Sequence, residues 1–196
     1  VVVVHAVTAT TTATLESLQT ELVVCLALLL VRQHLVRLSD FPVERLEQIL
    51  ELARRLKAGN SGPALAGQTL GLLFFRGSLR TRASFETAVH QLAGQVVNLT
   101  ATSDFWDLEV EEGTVMDGRA PEHIRDASEV LSRYFNALAI RPSLEARNWA
   151  RDRRDAQIRS WADHSQVPVI NMESAMWHPL QALADRAEVG ERAAQP

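Results

Sequence analysis

Within Phe74-Phe75-Arg76-Gly77-Ser78-Leu79-Arg80-Thr81-Arg82-Ala83-Ser84-Phe85-Glu86, hydroxyl and guanidinium groups meet between an apolar run and an amphipathic run. That pattern puts the end of a strand against the start of a helix. The first N–H groups of a helix lack internal partners and carry the positive end of its dipole, so the junction attracts anions. Arginine forks bind phosphate or carboxylate in bidentate fashion, so Arg80 and Arg82 point to such a ligand. Further along, Arg141 closes an apolar run, and His178-Pro179-Leu180-Gln181 opens another helical pattern.

Four short apolar runs, each followed by a helical period, position these groups. Thr69 to Phe75 precedes a helix from about Thr81 to Leu92. Val96 to Leu99 precedes a long loop and a helix from about Pro121 to Phe135. Ala137 to Arg141 precedes a helix from about Arg151 to His164. Val167 to Met172 precedes a helix from about Pro179 to Ala187. Before them, Ser39-Asp40-Phe41-Pro42 starts a helix whose apolar face is Val43, Leu46, Ile49, Leu50, Ala53 and Leu56. Continuous apolar strands alternating with helices imply an α/β, doubly wound fold: a mainly four-stranded parallel sheet with helices on both faces. Ligands of such sheets bind at the carboxyl ends of the strands. Ser78, Arg80, Arg141, His178 and Gln181 all fall on that edge.

The chain has 196 residues, 46% hydrophobic and 22% charged, enough for one ordinary core. A net charge of −4 argues against a nucleic-acid partner. The single cysteine, Cys25, cannot close an internal disulfide, and without a Cys/His cluster there is no zinc pattern. A reducing, cytoplasmic setting is the default expectation. Residues 1–31 form an atypical Val/Thr/Ala/Leu-rich extension. Its ten-residue apolar run from Leu22 to Val31 is half the ~20 residues a membrane span needs, which favours a buried or partner-facing helix and no membrane. Dinucleotide and P-loop glycine patterns are both absent from the sequence, which sets aside a nucleotide-binding enzyme of similar topology.

The motifs together resemble the aspartate/ornithine carbamoyltransferase family over about Gln33 to Val189. The phosphate loop of that family reads Ser-x-Arg-Thr-Arg followed by Ser-Phe-Glu, as in Ser78 to Glu86. Its second signature reads His-Pro-x-Gln then Leu-Ala-Asp, as in His178 to Gln181 and Leu183 to Asp185. Arg141 takes the place of the strand-end arginine. Phe105 to Glu109, Gly113 to Gly118, Pro121-Glu122-His123 and Val169 to Ser174 are similar to the branch acting on N-acetylornithine or N-succinylornithine in arginine biosynthesis. In that branch the residue before Glu-His is Glu for the acetyl substrate and Pro for the succinyl substrate, so Pro121 leans toward succinyl. Free ornithine is the alternative acceptor.

The resemblance implies roles. Ser78, Leu79 through its N–H, Arg80 and Thr81 would hold the phosphate of carbamoyl phosphate. Arg80 and Arg141 would neutralise the leaving group, His178 would donate to the carbonyl oxygen, and Gln181 would bind the carbamoyl amide. Arg82 would either join the site or brace the loop against Glu86. Trp106 would reach a neighbouring subunit's site in a homotrimer. The chemistry uses no metal, no cofactor and no protein nucleophile. Residues 32–190 would be the carbamoyl-phosphate-binding domain. The amino-acid-binding domain, with its His-Cys-Leu-Pro motif, is not in the sequence, so the chain is expected to be a truncated front half that binds carbamoyl phosphate weakly and does not turn over. A non-catalytic anion-binding module is the rival class.

Each residue has an ordinary alternative role. Ser78 could be an N-cap, Arg141 a solvated strand end, His178 a helix cap before Pro179, and Trp106 a surface anchor. Two departures from the family pattern stand out: Arg76-Gly77 replaces Asn-Pro, adding a charge beside the phosphate site, and Ala93-Gly94 replaces Gly-Gly.

Overall fold

A computed structural model describes residues 33–58, 62–101, 103–143 and 149–193. The expectations for residues 1–31, including the apolar run and Cys25, lie outside the described residues.

Among the described residues, six strands and six α-helices follow a short 3-10 turn (Leu38–Asp40): α1 (Val43–Lys57), β1 (Thr69–Phe74), α2 (Arg80–Gln91), β2 (Gln95–Thr100), β3 (Leu108–Glu109), β4 (Glu122–His123), α3 (Ile124–Tyr134), β5 (Ala137–Arg141), α4 (Trp149–Asp152), α5 (Ala156–His164), β6 (Val169–Asn171) and α6 (Pro179–Ala193). The main sheet is parallel with strand order β2-β1-β5-β6. The chain winds outward from β1 to β2, then returns across β1 to β5 and β6. The order therefore reverses between β1 and β5, and crevices at such a reversal bind ligands.

Strand periodicity sorts the core into two layers. On one face, Leu70, Leu72 and Phe74 of β1, Ala137 and Ala139 of β5, and Ile170 of β6 pack against α1, α2 and α6. On the other, Leu73, Leu138, Ile140 and Val169 meet Ile124 and Ala127 of α3 and Ile158 and Trp161 of α5. Fully burying a leucine, isoleucine or phenylalanine is worth about 1.5–3 kcal/mol, so this double burial makes the central strands a rigid platform. At Gly71 an added Cβ would lie 2.6 Å from Cδ2 of Phe135, so only glycine lets that ring close over β1. Leu35 extends the sheet beside β6, donating to Val169 O at 2.7 Å and accepting from Asn171 N at 2.9 Å.

The four expected strands and the parallel sheet are present, but several local features differ. The long loop after β2 contains a two-residue parallel pair, β3–β4, and α3 begins at Ile124 rather than Pro121 because His123 caps it, accepting the Arg125 N–H at Nδ1 (3.0 Å). The expected helix from Arg151 to His164 is two helices. Asp155 breaks it with a left-handed backbone (φ 48°), and its buried carboxylate accepts from Ser174 Oγ at 2.8 Å. At the end of α2, Ala93 takes the left-handed cap position (φ 62°), with Ala93 N–H bonded to His90 O and Gly94 N–H to Val89 O.

Candidate functional site

The carboxyl ends of β1, β5 and β6 are tied together beyond the strands themselves. Phe75 N–H donates to Arg141 O (2.9 Å) and Met172 N–H to Ile140 O (2.8 Å). This brings Thr81, Arg141, Glu173 and His178 to one edge.

Arg141 is the centre. Its side chain is only 11% exposed. Nη1 donates to Met172 O at 3.2 Å and reaches Thr81 Oγ1 at 3.4 Å, while Nη2 pairs with the Glu173 carboxylate. Its buried Nε–H has no hydrogen-bond partner among the described residues, and a buried donor without one costs on the order of 1–3 kcal/mol. Burial and the nearby Arg76 lower the Arg141 pKa, partly offset by Glu173.

His178 stands just before α6. Its Nδ1 accepts the Gln181 N–H at 3.3 Å, capping the helix. That bond assigns the proton of the neutral ring to Nε2, which lies 4.0 Å from Glu173 Oε2. Burial is the largest cause of a lowered His178 pKa; Arg141 and Arg76 lower it further, against Glu173 and Asp185. Burial thus favours the neutral ring, whose Nε2 faces Glu173.

A buried polar network shapes the loop that delivers His178. Asn171 is fully buried; its Nδ2 donates to Val36 O (3.0 Å) and Ser174 Oγ (2.9 Å), and its Oδ1 accepts from Glu173 N (3.1 Å). Glu173 has φ 100°, a conformation that costs a non-glycine residue on the order of 1–3 kcal/mol.

The other expected groups are arranged differently. Ser78 is half-buried in the turn and does not cap α2: Leu79 holds the N-cap position, with no side-chain cap bond among the described residues. Leu79 and Arg80 are exposed at the same helix start. Gln181 turns its amide away, Nε2 donating to Asp185 Oδ1 at 2.8 Å. Arg82 braces the loop, though not by direct pairing with Glu86. It donates to Asn98 Oδ1 (3.2 Å) and Thr100 Oγ1 (2.9 Å) and lies 4.2 Å above the Phe74 ring, while Asn98 passes a bond on to Glu86 (2.8 Å).

Two members of the edge carry no role in the sequence motifs. Arg76 clamps both neighbouring loops, Nε to Pro142 O (3.2 Å) and Nη2 to Glu173 O (2.9 Å). Glu173 faces Arg76, Arg141 and His178 together. The signal for Arg76 is its departure from Asn at that position; for Glu173 it is a carboxylate after a strand, inside the Val169 to Ser174 segment that carries the resemblance.

Trp106 and Pro121 belong to a separate place. Trp106 is 76% exposed. With Phe105, Asp107, Arg119 and Pro121 it lines an open concavity of about 490 Å³ that no residue of the anion edge lines. Arg119 pairs there with Asp107.

A parallel sheet whose strand order reverses between β1 and β5, with Arg76 and Arg141 at that reversal, places these groups where α/β folds bind small ligands. Residues 33–191 match the family model described as aspartate/ornithine carbamoyltransferase, carbamoyl-P binding domain, and the chain belongs to that family. It is 38% identical over 164 residues to the N-acetylornithine carbamoyltransferase of Xanthomonas campestris pv. campestris, covering 84% of this chain and 48% of the relative. It is 37% identical over 124 residues to the N-succinylornithine carbamoyltransferase of Bacteroides fragilis (63% and 39% covered), and 38% identical over 164 residues to the ornithine carbamoyltransferase of Methanopyrus kandleri (81% and 46% covered). A crystal structure of a Glu→Pro variant of N-acetyl-L-ornithine transcarbamylase, complexed with carbamyl phosphate and N-succinyl-L-norvaline, superposes with a TM-score of 0.79 at 38% identity, covering 84% of this chain and 49% of that one. The chain thus spans about half the length of the relatives it matches. Among the described residues, no helix is long and apolar enough to cross a membrane.

Proposed function

We propose that this chain is the carbamoyl-phosphate-binding half of a cytoplasmic, homotrimeric carbamoyltransferase that carbamoylates the side-chain amine of N-succinylornithine. The observation that carries the reading is Arg141, which links Thr81 of the phosphate loop on one side to the Glu173–His178 loop on the other.

In carbamoyl transfer the amine attacks the carbonyl carbon, a tetrahedral oxyanion forms, and phosphate leaves. Ser78, Thr81, Arg80 and the Leu79 N–H hold the phosphate at the start of α2. Arg141, kept dry by the sheet edge, neutralises the charge that grows on the leaving oxygen. His178 offers its Nε2–H to the oxyanion without needing to lose or gain a proton first. Gln181 turns from Asp185 to bind the carbamoyl amide. Trp106 completes a neighbouring subunit's site, consistent with its exposure.

Pro121 supports the succinyl preference: it carries no charge to repel a second carboxylate, and Arg119 beside it is cationic. The Glu→Pro variant of the acetyl enzyme, complexed with a succinyl ligand, fits the same logic. The test has two arms. Titrated with carbamoyl phosphate, the chain alone is expected to bind it saturably without turnover. Joined to an amino-acid-binding half, it is expected to carbamoylate N-succinylornithine faster than N-acetylornithine or ornithine. Absence of carbamoyl phosphate binding overturns the reading; a different best acceptor overturns only the succinyl preference.

A further inference from the structure

We propose that the Glu173 carboxylate is the internal counter-ion of the anion edge, held there by Arg76 and Arg141, and that a phosphate-bearing ligand binds by displacing it. This rests on the reading of that edge as the phosphate site.

Three observations support it. First, the groups suited to a phosphate already converge on one anion. Glu173 Oε1 lies 3.3 Å from Arg76 Nη2, while Oε2 pairs with Arg141 and lies 4.0 Å from His178 Nε2. The protein's own carboxylate therefore stands among the donors an incoming phosphate would use. Second, the match is incomplete. Two guanidinium groups face a single negative charge, and the buried Arg141 Nε–H gains nothing from it. A dianion with three terminal oxygens supplies more charge and more acceptors than a carboxylate. Third, Glu173 is held by its partners against its own backbone. Its φ of 100° lies in the region that favours glycine. Arg76 fixes that conformation through Glu173 O, and Asn171 through Glu173 N. The Glu173 side chain is 34% exposed, so a displaced carboxylate has solvent to enter.

The consequence is selectivity by charge. Exchanging a carboxylate for a monoanion gains no charge, whereas exchanging it for a dianion does. Arg76 thus acts as a positioning residue: it holds the occupant and the two loops that frame it.

The experiment titrates the wild-type chain, Glu173→Gln and Glu173→Gly with inorganic phosphate and with formate at pH 8, by calorimetry. Wild type is expected to bind phosphate and to reject formate. Both variants are expected to bind phosphate about tenfold or more tightly, a gain of roughly 1.4 kcal/mol, and to bind formate measurably. Either variant, if destabilised by the unpaired guanidinium groups, is expected to recover its melting temperature on adding phosphate. Wild-type binding with unchanged or weaker binding in both variants overturns the inference and leaves the phosphate site standing, with Glu173 as part of its frame. No phosphate binding by any of the three overturns both. Variants that stay unfolded in saturating phosphate also overturn the inference.

Discussion

The anion edge and the loop from Ser103 to Pro121 are built by opposite means. At the edge, side chains pin the loops: Asn171 holds the loop after β6, Ser174 bonds Asp155, and the half-buried Arg76 ties the loops after β5 and β6. The loop after β2 is rooted by Phe105, edge-on to Phe75 at 5.4 Å between ring centres, and then presents Trp106, Val115 and Arg119 to solvent. The first region is preorganised by its own fold, as catalysis by fixed dipoles requires. The second holds Trp106 and Arg119 around an open concavity apart from that edge.

The largest expected effect separates the two regions directly. Arg141→Gln removes the central charged donor, and phosphate affinity measured by calorimetry should fall about 100-fold or more, in line with charge-assisted bonds worth roughly 1.5–3 kcal/mol each. Asn171→Ala should unfasten the loop that carries His178. Removing a fully buried, multiply bonded amide is expected to lower stability in urea by about 3 kcal/mol; a change below about 1 kcal/mol would mean the edge is not pinned as described.

Acid should act on the same side of the comparison. Burial is the largest cause of the lowered pKa of His34, whose Nδ1 accepts the Val169 N–H, and of His178. The unfolded chain therefore binds more protons than the native one as pH falls below the ordinary value of 6.5. Stability from these two groups is complete above that value and is lost as the pH drops toward their native values. Urea midpoints at pH 8 and pH 5.5 should show the decline, and His34→Gln with His178→Gln should flatten it.

Ala93→Gly, in neither region, relieves a left-handed alanine and should raise stability by about 1 kcal/mol without altering phosphate binding. The smallest effect is expected from Trp106→Ala. Stability and phosphate affinity of the chain should stay within about 0.5 kcal/mol of wild type, as for other exposed positions. A larger loss would show that the loop packs on its own chain and would erase the contrast.

The edge was the more legible half of the sequence because strand ends can be counted. Apolar runs terminate at Phe75 and Arg141, and a parallel sheet brings such ends together. The break at Asp155 was not legible, since its left-handed turn depends on Ser174, nineteen residues away. The role of Glu173 was hidden for a related reason: a carboxylate after a strand reads as solvated until Arg141 at the end of β5 and Arg76 just after β1 are placed beside it. The two-residue pair β3–β4 leaves too short a pattern to read, and its register comes from the packing around it.

The reversal of strand order between β1 and β5 has a kinetic side. Leu70 pairs with Ala137, and Arg141 reaches Thr81 across 60 residues of sequence. Such distant parallel pairing is slow to form, because loop closure precedes any reward from the contact. The phosphate cradle cannot exist before that closure, so in a refolding experiment anion binding should emerge with the last phase, making the ligand a reporter that the chain has found its topology.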